Sequence, residues 1–368
     1  MLKAYKFRIY PNNIQIEQIN KTFGCVRFVY NNILSYRKEI YEKESKNLSK
    51  LDCNNYCNHV LKSKYVWLRE VDKFALTNSI YNMDNAFKKF FNENAGYPKY
   101  KSKRDNYKSY TTNYTNGNID VNFDNNKIKL PKLKYVKAKL HRRFNGIIKS
   151  ATITQVPSGK YYVSILVETT DIKKKPILDK KIGIDLGIKD LCITSDGDKF
   201  ENPKTLKKYE KKLARLGRSL FRKKKGSNNF NKIKHKLSKC HEKISNIRCD
   251  YLHKVSHKII SENQVIITED LQVKNMIKNH KLASSIADVS WYELTRQLSY
   301  KCEWYGRTYI KVDTFYASSQ LCHICGYQNS DAKKLSIRNW ICPKCNTRHN
   351  RDVNAAKNIL QEGLRIML

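Results

Sequence analysis

Hydrophobic and polar positions alternate over the first ten residues, as they do in a half-buried strand. Pro11 and the two asparagines after it end this alternation, and a mainly helical pattern then continues to about residue 95. The clearest helix lies near the end of that segment, where apolar residues recur every three or four positions from Leu76 to Phe90. The first quarter of the chain is therefore predicted to be one strand followed by helices.

Strand patterns replace the helical ones from about residue 105 to residue 170. The clearest hairpin turns at Pro157, Ser158 and Gly159, and alternating apolar residues share one face of the strand after the turn. A lysine-rich stretch with one proline, residues 171–180, then interrupts both periodicities. This stretch is predicted to be a linker between domains.

The pattern after the linker indicates a second domain of mixed structure. Residues 181–201 predict two or three short antiparallel strands, with Asp196 and Gly197 in a turn. Two basic helical segments follow, separated by a turn at 226–229, and each carries one apolar stripe. An apolar strand at 264–270, a helix, another strand and a C-terminal helix complete the chain.

The charge balance indicates nucleic acid as a partner. The 368 residues include 72 Lys and Arg against 33 Asp and Glu, which gives a net charge of +39 and a pI near 9.8. Such an excess repels itself unless a polyanion neutralises it. The bias of an AT-rich genome would also raise the lysine content, but it would not explain the shortage of acidic residues.

Cysteine usage and hydropathy favour a soluble protein of a reducing compartment. The 11 cysteines are dilute and odd in number, and the sequence begins without the apolar core of a signal peptide. No apolar stretch approaches the roughly 18 to 20 residues that cross a bilayer, so no membrane partner is expected. We therefore expect a cytoplasmic protein.

Four of the cysteines have the spacing of a structural zinc site. They form two pairs, each with two residues between its members, and sixteen residues separate the pairs: Cys322, Cys325, Cys342 and Cys345. Gly326 follows the first pair and Asn346 the second, and both residue types favour the left-handed turn that brings backbone amides to the sulfurs. Four unrelated cysteines in a reduced core are the alternative, but this segment is polar and lysine-rich. We predict one Zn²⁺ with a thiolate at every position.

Three acidic residues lie in or beside apolar elements, where an unpaired carboxylate is costly to bury. Asp185 lies among isoleucine and leucine in the strand KIGIDLGI, Glu269 ends the strand VIITE, and Asp352 opens the C-terminal helix. Acids at the ends of two neighbouring strands, with a third from a helix packed across them, would form an oxygen-rich cage for two Mg²⁺ ions. Such a pair of ions activates water and stabilises the leaving oxygen of a phosphodiester.

Each of these acidic residues has an alternative explanation on its own. Asp352 could cap a helix N-terminus, and Asp185 could be a surface residue of an edge strand. Asp270 competes with Glu269 for one face of its strand, and Asp190 competes with Asp185; alternation and apolar context favour Glu269 and Asp185. The order of the elements is strand acid, basic helices, strand acid, helix, strand and helix acid. That order is the one found in a ribonuclease H-like nuclease.

Motifs along nearly the whole chain resemble those of one family. They include KAYKFRIYPNN, GYPKYKSK, GIDLGIKD, ITED, SSQLCHICG and WICPKCNTRHNRDVNAAKNI, in this order. The chain is therefore similar to the TnpB (OrfB) family, transposon-encoded RNA-guided DNA endonucleases related to type V CRISPR effectors. The resemblance implies that Asp185, Glu269 and Asp352 are the catalytic carboxylates of a RuvC-type site and hold its magnesium. It also implies that the zinc module is inserted just before the last catalytic helix.

The fold class that the resemblance implies is multidomain α+β. A split N-terminal β-barrel, the wedge, would surround an inserted helical recognition domain, and an RNase H-like (RuvC) α/β nuclease domain would contain the four-cysteine zinc ribbon. The expected boundaries are 1–13 and 117–172 for the wedge, 14–116 for the recognition domain, 178–316 and 347–368 for the nuclease domain with its basic helical hairpin at 203–262, and 317–346 for the zinc-binding, target-nucleic-acid module.

Two groups of residues are candidates for nucleic-acid contacts. The resemblance points to Lys73, Phe74, Thr77 and Thr115 as readers of the short motif that flanks the target. Thr77 stands where relatives can carry Gln, so the particular motif stays open, and helical spacing makes core packing an equal alternative for Phe74. Phosphate contacts are predicted for exposed cations of the basic helices, with an ordinary solvated face as the alternative: Arg218, Arg222, Lys223, Lys224 and Lys225.

Together these features predict a monomeric, Mg²⁺-dependent, RNA-guided DNA endonuclease. Its guide RNA would derive from the transposon end, and its target would be double-stranded DNA. Three alternatives are a nuclease-inactive RNA-guided regulator, a DNA strand-transfer transposase and a guide-free nuclease of the Holliday-resolvase kind. The intact acidic triad argues against the first. A plain zinc-ribbon binding protein would leave Asp185 and Glu269 unexplained.

Overall fold

The computed structural model describes residues 1–105, 107–170, 173–333 and 336–368. Two compact units divide the chain, an N-terminal unit of Met1–Asp171 and a C-terminal unit of Ile172–Leu368. The predicted end of the wedge segment at residue 172 and the first two residues of the predicted linker lie outside the described residues. Residues 334 and 335 of the expected zinc module do so as well.

The helical segment of the N-terminal unit begins soon after Pro11, as the sequence predicts. Helix α1, Asn13–Glu44, opens with a reciprocal capping box, in which the Asn12 side chain accepts from the Gln15 backbone and the Gln15 side chain from the Asn12 backbone. Leu76, Ile80, Met83 and Phe87 are buried along the helix Lys73–Asn92, which confirms the predicted amphipathic helix. The remaining helical segments are α2, Lys50–Tyr56; a π turn, Cys57–Leu61; α3, Lys62–Lys64; a 3-10 turn, Val66–Arg69; and α4, Lys73–Asn92.

One antiparallel sheet contains the strands of the N-terminal unit. Its order is β2-β6-β7-β1-β5-β4-β3, so the first strand of the chain lies between strands that follow the helices. Strand β2 pairs with β6 and buries Tyr110 and Thr112, so it lies in the sheet although the boundary expected at 116 assigns it to the helical segment. The strands are β1, Leu2–Tyr10; β2, Lys108–Asn113; β3, Asp120–Asn122; β4, Lys127–Leu130; β5, Lys134–Lys139; β6, Ile147–Gln155; and β7, Tyr161–Glu168.

A mixed sheet forms the centre of the C-terminal unit, in the order β10-β9-β8-β11-β12. The strands are β8, Lys181–Leu186; β9, Asp190–Thr194; β10, Lys199–Glu201; β11, Val265–Glu269; and β12, Thr308–Val312. The first three are antiparallel, whereas β8, β11 and β12 are parallel. Gly197 has a φ of +92° in the turn before β10, as its place in the predicted turn requires.

Helices of the C-terminal unit include the predicted basic pair. The pair packs through its apolar stripes, and Gly226, with a φ of +87°, lies in the turn between the two helices. The helices are α5, Thr205–Phe221; α6, Asn228–Glu262; α7, Val273–Met276; α8, His280–Val289; α9, Trp291–Tyr305; and α10, Arg351–Met367. Among the described residues, no helix has both the length and the apolar composition needed to cross a bilayer.

Helix α10 packs directly against the central strand β8. A Cβ atom on Gly183 would lie only 2.1 Å from the backbone oxygen of Ala356, so helix and strand are in backbone contact there. Ala355 and Ala356 are fully buried, which confirms that small residues let the helix lie close to the sheet. A short hairpin precedes α10 in the chain, and its strands are β13, Asn339–Ile341, and β14, Arg348–Asn350.

Candidate active site

Asp185 is the fifth residue of β8, in the middle of the sheet of the C-terminal unit. Strand β8 is hydrogen-bonded to β9 on one side and to β11 on the other, with Asp185 opposite Ile193. The alternative that Asp185 lies on the surface of an edge strand is therefore wrong. Its neighbours Ile184 and Leu186 point into the hydrophobic core, as strand alternation requires.

Glu269 ends β11, the strand parallel to β8. The Ser318 hydroxyl donates a hydrogen bond to Glu269 Oε1 at 2.7 Å. Asp270, the competing acid, instead accepts an ion-pair contact from Lys311 Nζ at 2.8 Å. Asn358 of α10 donates to the backbone oxygen of Ser318 at 2.7 Å, so the C-terminal helix also holds the residue that orients Glu269.

Asp352 lies in the first turn of α10 but does not cap it. The cap is Asn350, whose side chain accepts a hydrogen bond from the Val353 amide at 3.2 Å, so the alternative of Asp352 as N-cap is wrong. The carboxylate of Asp352 instead forms an ion pair with Arg338. Its two oxygens lie 3.1 and 3.2 Å from Nη1 of Arg338, which immediately precedes β13.

These three carboxylates converge on one cavity of about 350 Å³. Asp190, the weaker of the two candidates near β8, also lines it. The other polar lining residues include Ser318, Ser319, Arg338 and Arg351. The structure thus brings together three acids that are separated by 84 and 83 positions in the sequence.

The electrostatics of the cavity favour a bound cation. Burial raises the pKa of Asp185 well above its usual range, and the charges of Glu269 and Asp352 raise it further, against the opposing effect of Arg351 and Arg338. Burial also raises the pKa of Glu269, while the hydrogen bond from Ser318 lowers it. Carboxylate oxygens are the ligands that Mg²⁺ prefers, and a divalent ion would relieve this repulsion. The residues present therefore fit a magnesium site.

The four cysteines of the two pairs form one cluster. Their sulfurs all lie within 4.8 Å of one another, with Cys322 and Cys345 Sγ 3.6 Å apart. Gly326 has a φ of +72° and Asn346 a φ of +55°, so both take the left-handed conformation predicted from the sequence. Contacts with the hydroxyl and backbone of Thr347 lower the pKa of Cys345 to about 6. Four sulfurs at this separation fit tetrahedral Zn²⁺.

Strand β14 connects this cluster to the carboxylate cavity. Buried His349, in the middle of β14, places Nε2 3.1 Å from Cys322 Sγ. Only Asn350 and Arg351 separate His349 from Asp352 in the chain. The position of the last carboxylate is therefore tied to the cysteine cluster through one short strand.

Three family models match the sequence. The OrfB_IS605 model, described as "Probable transposase", matches residues 164–280; a model described as "Cas12f1-like, TNB domain" matches 291–359; and a model described as "Helix-turn-helix domain" matches 1–46. The last segment has a different local structure here, because it forms strand β1 and the continuous helix α1.

Full-length relatives decide the family. A candidate RNA-guided DNA endonuclease of Streptomyces pristinaespiralis is 36% identical over 369 residues, which cover 98% of this chain and 89% of the relative. The chain belongs to the TnpB (OrfB) family. InsQ of Escherichia coli (strain K12), named there as a candidate RNA-guided DNA endonuclease, is 33% identical over 98% of this chain and 92% of its own length. The family resemblance seen in the sequence motifs is thus confirmed.

A solved structure supports the fold of this TnpB-family chain. The Cas12f1 protein in a Cas12f1–sgRNA–target DNA complex matches with a TM-score of 0.61 over 98% of both chains, at 15% sequence identity. That similarity shows a shared mixed α/β multidomain fold. The four-cysteine cluster lies within the segment that the TNB model matches.

The motif-reading candidates of the TnpB resemblance lie in the N-terminal unit. Lys73 is exposed at the start of α4, with its ammonium 5.1 Å from the ring centre of Phe74, which is only half-buried. The Thr77 hydroxyl is 3.3 Å from the Lys73 carbonyl, one turn earlier in the helix. Thr115 is exposed in a turn after β2. The structure does not bury Phe74 in the core, and base contacts by these residues stay a prediction.

The phosphate-contact candidates lie at one end of the α5–α6 pair. Arg218, Arg222, Lys223, Lys224 and Lys225 are all exposed. No acidic residue occurs from position 211 to position 241, a stretch that includes 12 Lys and Arg. Among the described residues, none of these cations forms a salt bridge, so their charge is available to a polyanion.

Several site residues were not predicted from the sequence. Ser318 bonds Glu269, Arg338 pairs with Asp352, and Arg351 and His349 lie on the connection between the two centres. The only available signal was position, since all four lie between the last strand of the sheet and Asp352. Residue type gave no such signal, because serines and arginines are common on protein surfaces.

Proposed function

We propose that this chain is a transposon-encoded, RNA-guided DNA endonuclease that hydrolyses phosphodiesters at its three-carboxylate cavity. Membership of the TnpB family and relatives named as candidate RNA-guided DNA endonucleases support the guided activity. The observation that carries the proposal is the convergence of Asp185, Glu269 and Asp352 on one cavity. Three carboxylates gathered in a partly buried cavity are costly unless a cation compensates their charge.

The sheet order supports an RNase H-like (RuvC) nuclease domain in the C-terminal unit. Asp185 and Glu269 lie near the ends of the adjacent parallel strands β8 and β11, and Asp352 lies on α10, which packs across β8. The sheet of the N-terminal unit, completed by β1, supports the split wedge around a helical recognition segment. We retain the proposed boundaries of 178–316 and 347–368 for the nuclease and 317–346 for the zinc module.

In this mechanism the protein holds and orients metal ligands. Magnesium, when bound, supplies an activated water and charge stabilisation at the leaving oxygen, with two ions as the proposed number. Ser318 fixes one oxygen of Glu269, and the packing of α10 on Gly183 fixes the height of Asp352 above the sheet. Arg338 and Arg351 line the same cavity and are placed to contact a phosphate. No covalent protein intermediate is required.

Zinc is structural in this proposal. The four cysteines supply all the ligands of a tetrahedral site, so no position is left for water. The two cysteine pairs would then anchor a fixed flap, and β14 would hold Asp352 at a fixed distance from it. Loss of zinc would act on cleavage indirectly, through the position of that carboxylate.

Guide RNA and double-stranded target DNA are the proposed partners, held by a monomer in the cytoplasm. Base pairing would supply target specificity, while the protein binds backbone and shape. Arg218, Arg222, Lys223 and Lys224 would contact phosphates from the α5–α6 pair. Residues of the N-terminal unit would read the flanking motif, and the candidates are Lys73, Phe74, Thr77 and Thr115.

A matched pair of adjacent acids tests the proposal. In the ribonucleoprotein purified from the native locus, Glu269→Gln should abolish cleavage of a matching target, and Asp270→Asn should leave it within about threefold of wild type. Asp352→Ala should also abolish cleavage yet retain the bound RNA. Cleavage by Glu269→Gln or Asp352→Ala at the normal rate, or equal loss in Asp270→Asn, would remove the assignment.

A strand-transfer transposase is the second candidate, since one matching family model is described as "Probable transposase". It predicts joining of transposon ends to a new DNA in the presence of the purified protein. A strand-transfer assay with labelled ends decides between them, and joined products would replace the endonuclease proposal. Sequencing of the co-purified RNA tests the guide-free alternative, because a guide-free nuclease would carry no RNA that matches the transposon end.

A further inference from the structure

A second cavity adjoins the carboxylate cavity in the C-terminal unit. Its volume is about 500 Å³, and it shares Leu186, Glu269 and Trp291 with the first. Trp291 is buried, and its indole nitrogen donates to the Gly187 carbonyl at 3.2 Å, so the boundary between the two cavities is fixed. A group held in the second cavity would therefore lie directly beside Glu269.

One face of helix α9 lines this second cavity with two aromatic residues and a cation. Tyr292, Arg296 and Tyr300 recur at intervals of four residues, which places them on the same side of the helix. The apolar core contacts of α9 are made by other positions, among them Leu294 and Leu298. The stripe of Tyr292, Arg296 and Tyr300 thus lies outside this apolar core, and within it the Tyr300 ring packs edge-on against Trp304 at 4.6 Å.

Tyr292 is unusual because it is 67% exposed beside a buried tryptophan. No hydrogen-bond partner of its hydroxyl occurs among the described residues. Arg296 is held in place by two contacts to Glu293, at 2.8 and 2.7 Å, with its guanidinium 5.3 Å from the ring centre of Tyr300. The stripe therefore presents a free aromatic face next to a fixed, planar cation.

The charges around the cavity suit one nucleotide. Lys274 and Lys311 join Arg296 in its lining; Lys311 is paired with Asp270, and Arg296 is paired with Glu293. Lys274 has no salt bridge among the described residues, so its charge is available to a phosphate. Volumes of this size hold small ligands, and an aromatic face with nearby cations is the arrangement by which proteins bind unpaired nucleotides.

We infer that Tyr292, with Arg296 and Tyr300, forms a base-stacking subsite for a nucleotide adjacent to the scissile phosphate of the DNA strand being cut. This inference rests on the proposed endonuclease activity. Stacking on Tyr292 would hold the strand single-stranded at the cavity mouth, with the next phosphate toward Asp185 and Glu269. The subsite would act on any base, because every base offers a flat face.

Photo-crosslinking tests the subsite without relying on cleavage. The ribonucleoprotein carries Asp352→Asn, and target strands carry 5-iododeoxyuridine at single positions around the cut. Guide RNA with 5-iodouridine forms a second arm, and free single-stranded DNA with the same label forms a third. We expect labelled DNA to cross-link to Tyr292, Tyr292→Ala to abolish this product, and Tyr41→Ala, which removes an exposed tyrosine of α1, to retain it.

Cross-linking of Tyr292 by RNA alone, or by no labelled position in any arm, would overturn the inference. A kinetic arm measures the size of the effect under single-turnover conditions. Tyr292→Ala should slow cleavage by about 5- to 100-fold, an abasic nucleotide at the cross-linked position should do the same, and the two changes together should add little. Tyr292→Phe should retain most of the rate, because the ring still stacks. Additive losses, or normal cleavage by Tyr292→Ala, would also overturn it.

Failure of the endonuclease proposal would look different. It would appear as cleavage that survives Glu269→Gln, or as absence of guided cleavage by the wild-type ribonucleoprotein. The arm with free single-stranded DNA judges the subsite in either case.

Discussion

Replacement of Gly183 by alanine should move Asp352 without changing its carboxylate. An added Cβ would lie 2.1 Å from the Ala356 oxygen, 2.7 Å from the Leu360 nitrogen and 2.8 Å from the Leu360 Cβ. Two of these atoms are backbone, so no side-chain rotation can relieve the contact. Restoring an ordinary separation of about 3.5 Å requires α10 to move by roughly 1.4 Å.

Such a movement is large on the scale of a metal site. Asp352 lies four residues before Ala356, about one helical turn, and would move with the helix. Metal ligands keep their distances within about 0.2 Å, and a displacement of about 1 Å at a reacting centre costs roughly 100-fold in rate. Overpacking should also destabilise the fold by about 1–3 kcal/mol. We therefore expect Gly183→Ala to fold, to bind RNA and to lose about 100-fold in cleavage.

Gly217→Ala is the matched control. Gly217 lies within α5 with nothing inside 4 Å of an added Cβ, so alanine should stabilise by about 0.5–1 kcal/mol. Single-turnover cleavage and urea unfolding measure the two effects for each variant. Wild-type cleavage by Gly183→Ala would refute the claim that close packing of α10 sets the position of Asp352.

Three further predictions test separate parts of the structure. Ser318→Ala removes the hydrogen bond that lowers the pKa of Glu269, so the acid limb of the pH–rate profile should move to higher pH; an unchanged limb would contradict that role. Cys342→Ser should lower the zinc content, measured by atomic emission, below one ion per chain and should abolish cleavage. Cys249→Ser should retain both the zinc and the cleavage activity. Burial lowers the pKa of Lys301 to about 8, against about 10.4 unfolded, so the folded state binds fewer protons between these values. The unfolding free energy of wild type relative to Lys301→Met should therefore rise from about pH 8 to pH 10.4, as measured by urea unfolding at each pH, and a difference that does not change with pH would refute this origin.

Local patterns were enough to predict most elements and the two candidate centres. The alternation in β1 and β7, the stripe of α4 and the spacing of the cysteines each depend on neighbouring residues, and each was found where expected. The strand acids could be chosen because burial of a carboxylate is costly wherever the strand lies.

Pairing between strands that are distant in the sequence could not be predicted from local patterns. The predicted boundary at 116 left β2 with the helices, because pairing with β6 is decided by residues about forty positions later. Whether Asp185 lies in a central or an edge strand likewise depended on the pairing of β8 with β11, which lies outside the local hairpin. Sequence order alone does not fix such neighbours.

Side-chain partners were the least predictable feature of the site. Ser318 reaches Glu269 across 49 positions, and Arg338 reaches Asp352 across a hairpin. Neither contact follows from periodicity, since both residues lie outside regular elements. Asn350 as the cap of α10 was equally hidden, because Asp352 is an acceptable cap by residue type.

The most direct measurement is anomalous diffraction at the manganese edge from crystals of the protein soaked in Mn²⁺ as a substitute for Mg²⁺. The account predicts anomalous peaks bonded to carboxylate oxygens of Asp185, Glu269 and Asp352, at about 2.0–2.4 Å, and loss of these peaks in Glu269→Gln. Peaks confined to other acids, or a cleavage-competent protein whose cavity binds no ion, would contradict it.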